Sequence, residues 1–297
     1  MPGAEDRIRR LLREGKADTR PALARLAGVS TVMAGRIIGR LAERGEVEEA
    51  GTGDSGGGRP VMHYRPAASY GMLAHFHAEA AGRMLQGGMV LTDMRGGTLR
   101  RSREMGFAML HAESLDDWLD ANTRRGAAPL RGISLDLPEN MPDCGLEKHL
   151  AECYGCPVHR INCALALAMQ DTREHTLTLY LPRGGQPQGA HRRRGAVSAC
   201  GQLSLLPAAV PWAQLDHSDT TAVVEAVSRL VLTLTCALAP QRVVLHAESW
   251  TRKLTTRIRF TCATRLEQCA NPPKLSFRET APQDTQPLIL RAAAQMA

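Results

Sequence analysis

Three short helical periods, each closed by a glycine, open the chain and limit what it can build. Ile8, Leu11 and Leu12 have helical spacing, and Gly15 stops that helix. Thr19 is a good N-cap for a second helix, with Pro21 tolerated in its first turn and Leu23 and Leu26 facing inward. Gly28-Val29-Ser30 makes a turn. Ser30 caps a third helix in which Met33, Ile37 and Leu41 repeat every four residues, and Gly45 ends it. Two helices, a glycine turn and a third helix read as helix-turn-helix.

The exposed side of the third helix carries Thr31, Val32, Gly35, Arg36, Gly39 and Arg40. Small residues there let a helix approach the DNA major groove closely, and Arg36 and Arg40 can reach phosphates or guanine edges. Thr19, Arg20 and Ser30, at the two helix starts, complete the DNA-facing set. Residues 1–65 hold 12 Lys/Arg against 9 Asp/Glu, so positive charge is denser here than in the rest of a chain whose net charge is +7. The alternative, a packing module with a solvated arginine face, is weaker because turn, caps and basic face agree.

Two strand-like runs follow, "EVEEA" and "VMHYRP", around "GTGDSGGGRPV" (Gly51 to Val61). A hairpin after a recognition helix is a wing. Its glycines let the backbone approach the sugar-phosphate edge. Arg59, between Gly58 and Pro60, is held extended to enter a narrow minor groove. A phosphate-binding loop of the Walker type needs Lys-Ser/Thr and a helix next; Arg-Pro and a strand follow instead, so that reading fails.

The 297 residues suffice for two or three cores, and with aromatics at only 4% those cores must be built from Ala, Leu, Val, Ile and Met. The charged start "MPGAEDRIRR" has no apolar stretch behind it, so no signal peptide is expected. The longest apolar segment, Val223 to Leu238, carries Glu225 and Arg229, looks too short for a bilayer and reads as a buried helix. A cytoplasmic protein with no membrane partner follows, its eight cysteines free thiols.

The run "TRPALARLAGVSTVMAGRIIGRLAERGEVEEAGTGDSGGGRP" before a larger domain resembles the ROK family of repressors, open reading frames and sugar kinases. The likeness continues through "LTDMRGGTLRRSRE", with the family's Asp-x-x-Gly turn, "GISLDLP", "HLAECYGCPVHRINCALALAMQ", "EAVSRLVLTLTCALAPQRVVLHAES" and "LILRAAAQMA". It implies an α/β protein with an N-terminal winged helix-turn-helix and an actin-like ATPase (sugar-kinase-like) two-lobed C-terminal domain. The boundaries are 1–65 for the DNA-binding domain, 66–69 for a linker, and 70–297 for the ROK domain. Strand-like runs at 87–93, 98–104, 131–137, 156–161, 175–181 and 242–247 alternate with helical segments at 114–125, 143–154, 163–171 and 219–239, as such a domain requires.

The parts that make the family's kinases work are replaced. The phosphate-binding hairpin reads "HFHAEAAGRMLQGG", without Asp-x-Gly-x-Thr. The family's catalytic Asn-Asp reads Asn162-Cys163, and a neutral thiol is a poor base. Pro-Gly reads Pro138-Glu139, Gly-Glu-Ile-Gly-His reads Gly201-Gln202-Leu203-Ser204-Leu205, and Gly-Gly of the adenosine site reads His246-Ala247. The family's zinc-binding histidine and cysteine run are missing with them. The resemblance therefore implies a pseudo-kinase that keeps the fold for dimerisation and an altered pocket.

Several groups invite sharper readings. His149, Cys153, Cys156, His159 and Cys163 include a Cys-x-x-Cys-x-x-His spacing that suits zinc or a thiol sensor. However, Cys153 falls at a helix end and Cys156 enters a strand, with Pro157 and His159 on the face opposite Val158. No metal and no cofactor are therefore expected. "HRRRG" (His191 to Gly195) reads as a solvated basic loop, and His75 and His77 as packing residues on one strand face. Asn140, Asp143, Asn162 and Gln202 are the effector-pocket candidates.

The sum is a transcription regulator, a repressor by resemblance, binding double-stranded operator DNA as a homodimer or higher homo-oligomer. Carbohydrate metabolism is the family's setting, and a small-molecule effector is left open. The alternatives are an ATP-dependent ROK sugar kinase and a thiol- or metal-responsive regulator.

Overall fold

The computed structural model describes residues 3–53, 60–81, 84–103, 105–107, 112–123, 128–138, 145–182, 186–200, 203, 212, 215–267 and 269–296. The chain divides into two compact units. One comprises Met1–Asp136, Asp143–Arg160 and Ala293–Ala297, the other Leu137–Pro142 and Ile161–Ala292.

The first unit opens with helices α1 (Ala4–Arg13), α2 (Arg20–Ala27) and α3 (Thr31–Glu43), then a hairpin of β1 (Val47–Gly53) and β2 (Val61–Pro66). All three helices stop the same way. Gly15, Gly28 and Gly45 take left-handed φ values of 63°, 67° and 70°, and the next residue's N–H reaches back to Leu11, Ala24 and Leu41. That closure satisfies carbonyls a helix end would leave bare, and it requires the glycine conformation.

Ile8, Leu23, Ile37, Ile38 and Leu41 are fully buried between these helices, with Tyr64 of the hairpin against them. Each such burial is worth about 1.5–3 kcal/mol. Two residues expected to face inward do not: Leu26 is 51% exposed and Met33 is 47% exposed. The helical period is 3.6 rather than 4, so Ala24, Ala27, Ala34 and Ile38 take the inner positions and rotate these two outward.

The same unit holds a six-stranded sheet. Its strands are β3 (Met72–Ala81), β4 (Met84–Asp93), β5 (Thr98–Arg101), β6 (Met105–Phe107), β7 (Leu130–Asp136) and β8 (Val158–Arg160). Helix α4 (Ala112–Thr123) precedes β7, and α5 (Leu146–Tyr154) joins β7 to β8. The order is β5-β4-β3-β7-β8, with β6 also on β4. β3 runs antiparallel to β4 and parallel to β7. The Asp-x-x-Gly turn forms as the sequence implies: Asp93 Oδ1 accepts from the N–H groups of Arg95 and Gly97 at 2.8 and 2.9 Å.

The second unit repeats that plan. Helix α6 (Cys163–Gln170) precedes β9 (Thr176–Tyr180), β10 (Gln188–Arg193) and β11 (Ala196–Ala199). Then come α7 (Thr220–Leu238), β12 (Arg242–Ala247), α8 (Arg252–Arg265), β13 (Lys274–Glu279) and α9 (Pro282–Met296), of which the residues from Ala293 on belong to the first unit. The order is β11-β10-β9-β12-β13; with β6 set aside, since it shares β4 with β5, both sheets run third, second, first, fourth, fifth, the first two pairings antiparallel and the last two parallel.

Helix α7 is longer than the apolar run suggests. At 19 residues it is long and apolar enough to cross a membrane, yet Val223, Val227, Leu230, Val231 and Leu234 pack in this unit's core. The "HRRRG" stretch is also not a solvated loop throughout. His191 to Arg193 lie on β10, and only Arg194 and Gly195 form the turn. Arg192 is buried, and its Nη2 donates to the carbonyls of Ala168 and Met169 at 3.1 and 3.2 Å, closing the last turn of α6.

His75 and His77 share one face of β3, their rings stacked 6.2 Å apart, as the strand alternation expects. His75 Nδ1 meets Ser134 Oγ of β7 at 2.8 Å. Burial, helped by the charge of His77, pushes the His75 imidazole down to about 3. An imidazole held lower in the folded state than its free value near 6.5 takes up protons first in the unfolded chain. Its contribution is whole above pH 6.5 and is lost as the pH falls from there toward 3. The urea midpoint should therefore drop between pH 7 and pH 5, and His75→Asn should drop less over that interval.

Candidate nucleic-acid interface

The helix starts are built by side chains. Thr19 Oγ1 accepts from the Ala22 N–H at 3.4 Å, and Ser30 Oγ accepts from the Met33 N–H at 3.1 Å. The hairpin is tied to the α2 start. Tyr64 N–H donates to the Asp18 carbonyl at 2.7 Å, Thr19 pairs with His63, and His63 Nδ1 meets Asp18 Oδ2 at 2.8 Å. The guanidinium of Arg20 lies 5.5 Å from the centre of the Tyr64 ring, a cation–π distance.

These contacts leave one side of α3 open. Thr31, Val32, Arg36, Gly39 and Arg40 are exposed, Val32 by 68%, and Gly35 is half-buried because a Cβ there would sit 3.8 Å from Arg20 Cδ. Leu26 and Met33 add apolar surface beside Val32, the chemistry that thymine methyl groups contact. Thus seven of the expected residues, Thr19, Arg20, Ser30, Thr31, Val32, Gly35 and Arg36, lie at the starts or on the open face of α2 and α3. Arg40 shares the open face but is occupied. Gly58 and Arg59, the expected hook, lie outside the described residues.

Beneath that face runs a charge network. Glu5 Oε2 accepts from Arg40 Nη2 at 2.9 Å, and Glu5 Oε1 accepts from Arg44. Glu46 accepts from Arg9 Nε at 2.8 Å and from Arg44 Nε at 2.7 Å. The hydrogen bonds from Arg40 and Arg44 hold the Glu5 carboxyl below its usual range. Burial pushes Glu46 up, but Arg9 and Arg44 outweigh it, and its carboxyl also sits below the usual range. Sequence reasoning missed this network because its members lie up to 39 residues apart. Its one local trace is acidic residues set among arginines at both ends of the three-helix segment.

The other sequence candidates are less coherent. Asn162 Oδ1 caps α6 by accepting from the Leu165 N–H at 2.8 Å. Asn140, Asp143 and Gln202 lie outside the described residues. Cys163, which the resemblance sets against the family's catalytic Asp, is buried at the start of α6. His246, which the resemblance sets against a glycine, is buried and bonded through Nδ1 to Thr280 Oγ1 at 2.8 Å.

No family model matches the chain, and no curated protein matches it. Solved structures do. A ROK family transcriptional regulator, a homolog of the E. coli MLC protein, superposes with a TM-score of 0.59 at 12% identity, over 98% of this chain and 96% of that one. A ROK hexokinase from Thermus thermophilus aligns with 75% of this chain and 98% of its own, at TM-score 0.46 and 18% identity. A ROK family glucokinase from Streptomyces griseus, in complex with glucose and AMPPNP, aligns over the same shares at TM-score 0.48 and 12% identity. The ROK resemblance in the sequence is thus matched by structure: the chain has the ROK fold. The likeness that extends over both chains almost completely is to a transcriptional regulator.

Removing the Glu46 charge tests the network. Hydrogen bonds to charged groups are worth about 1.5–3 kcal/mol, so Glu46→Gln should cost about that much in thermal or urea unfolding. The Asp6→Asn variant, at an exposed edge of the network, should cost under about 1 kcal/mol.

Proposed function

We propose that this protein is a DNA-binding transcriptional regulator of the ROK type, acting as a repressor without kinase activity. The three helices and hairpin serve as a winged helix-turn-helix. Residues 70–297 serve dimerisation and leave room for a small-molecule effector, a carbohydrate being the one the family's chemistry suggests. One head reads one half-site, so a homodimer on a pseudo-palindromic operator is the working unit. A cytoplasmic location goes with that role.

The observation that carries this reading is the open face of capped α3, where Thr31, Val32 and Arg36 are exposed together. Among the described residues Arg36 has no ion-pair partner, so nothing competes with DNA for it. Arg40 must first leave Glu5. A surface ion pair costs under about 1 kcal/mol to break, so phosphate can displace it. Against phosphoryl transfer stands position 163, where a buried thiol replaces the carboxylate that would take the hydroxyl proton.

Genome-wide mapping of bound sites supplies the operator. On it, Arg36→Ala and Arg59→Ala should each weaken binding at fixed salt without lowering the melting temperature, and should flatten the salt dependence. Unchanged affinity in both variants, or ATP-dependent phosphorylation of a hexose by the pure protein, overturns the proposal. Glu5→Gln frees Arg40 and should tighten binding to any duplex.

A further inference from the structure

Helices α4 and α5 place three metal-ligating side chains together, away from the DNA-facing head. His149 and Cys153 are four residues apart on α5, so they lie on one side of it. Asp116 of α4 faces them. Its Oδ2 lies 2.6 Å from His149 Nε2, and Cys153 Sγ lies 3.6 Å from the same nitrogen. All three donor atoms fall within 4.8 Å of one another.

Two features separate this cluster from an ordinary hydrogen-bonded group. First, the carboxylate and the thiol converge on one ring nitrogen. A Cys–His–Asp relay would place them on opposite ring nitrogens, so a nucleophile is the wrong reading. Three donors around a common point is the arrangement of a metal site. Second, the other carboxylate oxygen, Asp116 Oδ1, is buried and accepts no hydrogen bond among the described residues. A cation beside it would supply the missing partner.

The donor set narrows the cation. Thiolate, imidazole and carboxylate together suit zinc and similar borderline ions, whereas magnesium and calcium take oxygen alone. Metal–ligand bonds of about 2.0–2.3 Å put tetrahedral donors about 3.3–3.8 Å apart. The Cys153–His149 separation is already in that range, and Asp116 needs to draw back by less than about 1 Å. Tyr154 supports the frame: its hydroxyl donates to the Asp116 carbonyl and to Asp120 Oδ1, each at 3.3 Å. Cys153 is exposed, and Asp116 and His149 are half-buried. One side therefore stays open for water or an outside ligand.

We propose that Asp116, His149 and Cys153 form a three-ligand site for a zinc-class divalent cation with one coordination position open. The sequence reading expected no metal here because it grouped Cys153 with Cys156 and His159. The left-handed Gly155 ends α5 and turns the chain, and Cys156 is buried beyond it. The third ligand comes from Asp116, 33 residues before His149.

Cobalt(II) titration of the chelator-treated full chain tests this. One equivalent should give a thiolate-to-cobalt charge-transfer band that zinc abolishes. The band should be lost in Cys153→Ser and His149→Ala and kept in Cys156→Ser. Asp116→Asn should weaken zinc binding by more than the roughly 10–100-fold that losing a supporting group costs. A readout on the unaltered protein guards against misfolded variants. Zinc should slow alkylation of Cys153 but not of Cys236, which is also exposed. Absence of the band in the unaltered protein, its persistence in folded Cys153→Ser, or equal alkylation rates with and without zinc overturns the site.

Discussion

Glu46 holds the N-terminal segment together. It is buried, and the residue makes four kinds of contact at once. Its carboxylate accepts from Arg9 of α1 and Arg44 at the end of α3. Its N–H closes α3 on the Leu41 carbonyl at 2.8 Å, and its carbonyl accepts from Ala67 beyond the hairpin at 3.0 Å. A carboxylate out of water is costly unless paired and hydrogen-bonded. The two partners of the carboxylate lie on different elements, α1 and the end of α3. The cost of burying the charge is therefore met only when both are in place, which makes their packing cooperative. The open face of α3 inherits its position from that node.

Apart from β6, the same strand order occurs in both units, with hairpin strands antiparallel and later strands parallel. Polar side chains of the second unit serve its scaffold. Asn162 caps a helix, His246 bonds Thr280, and Arg192 closes the α6 carbonyls. Each gives a backbone or hydroxyl group its hydrogen-bond partner within the fold.

The elements with a local signal were legible. Capped helices such as α2 and α3, and periodic strands such as β4, β7 and β12, lie within a few residues of where pattern places them. Helix α8 and strand β13 were not read, because α8 has few buried apolar positions, Ile258 and Cys262, in a strongly basic sequence. Arg192 defeated the charge-run rule, since its burial depends on a helix end 24 residues earlier. The open face of α3 was legible because its residues recur on one side of a helix. Glu5, Glu46 and Asp116 were not, because each acts through partners far away in sequence.

The Ser30 cap and the Gly45 stop fix the length of α3 from both sides. Each helical residue turns by about 100°, so inserting or deleting one between them would swing Thr31, Val32 and Arg36 off the open face while the core residues fought to stay buried. Exchanging the outward side chains disturbs neither cap nor core. The outward face of this helix is therefore free in its letters and rigid in its spacing.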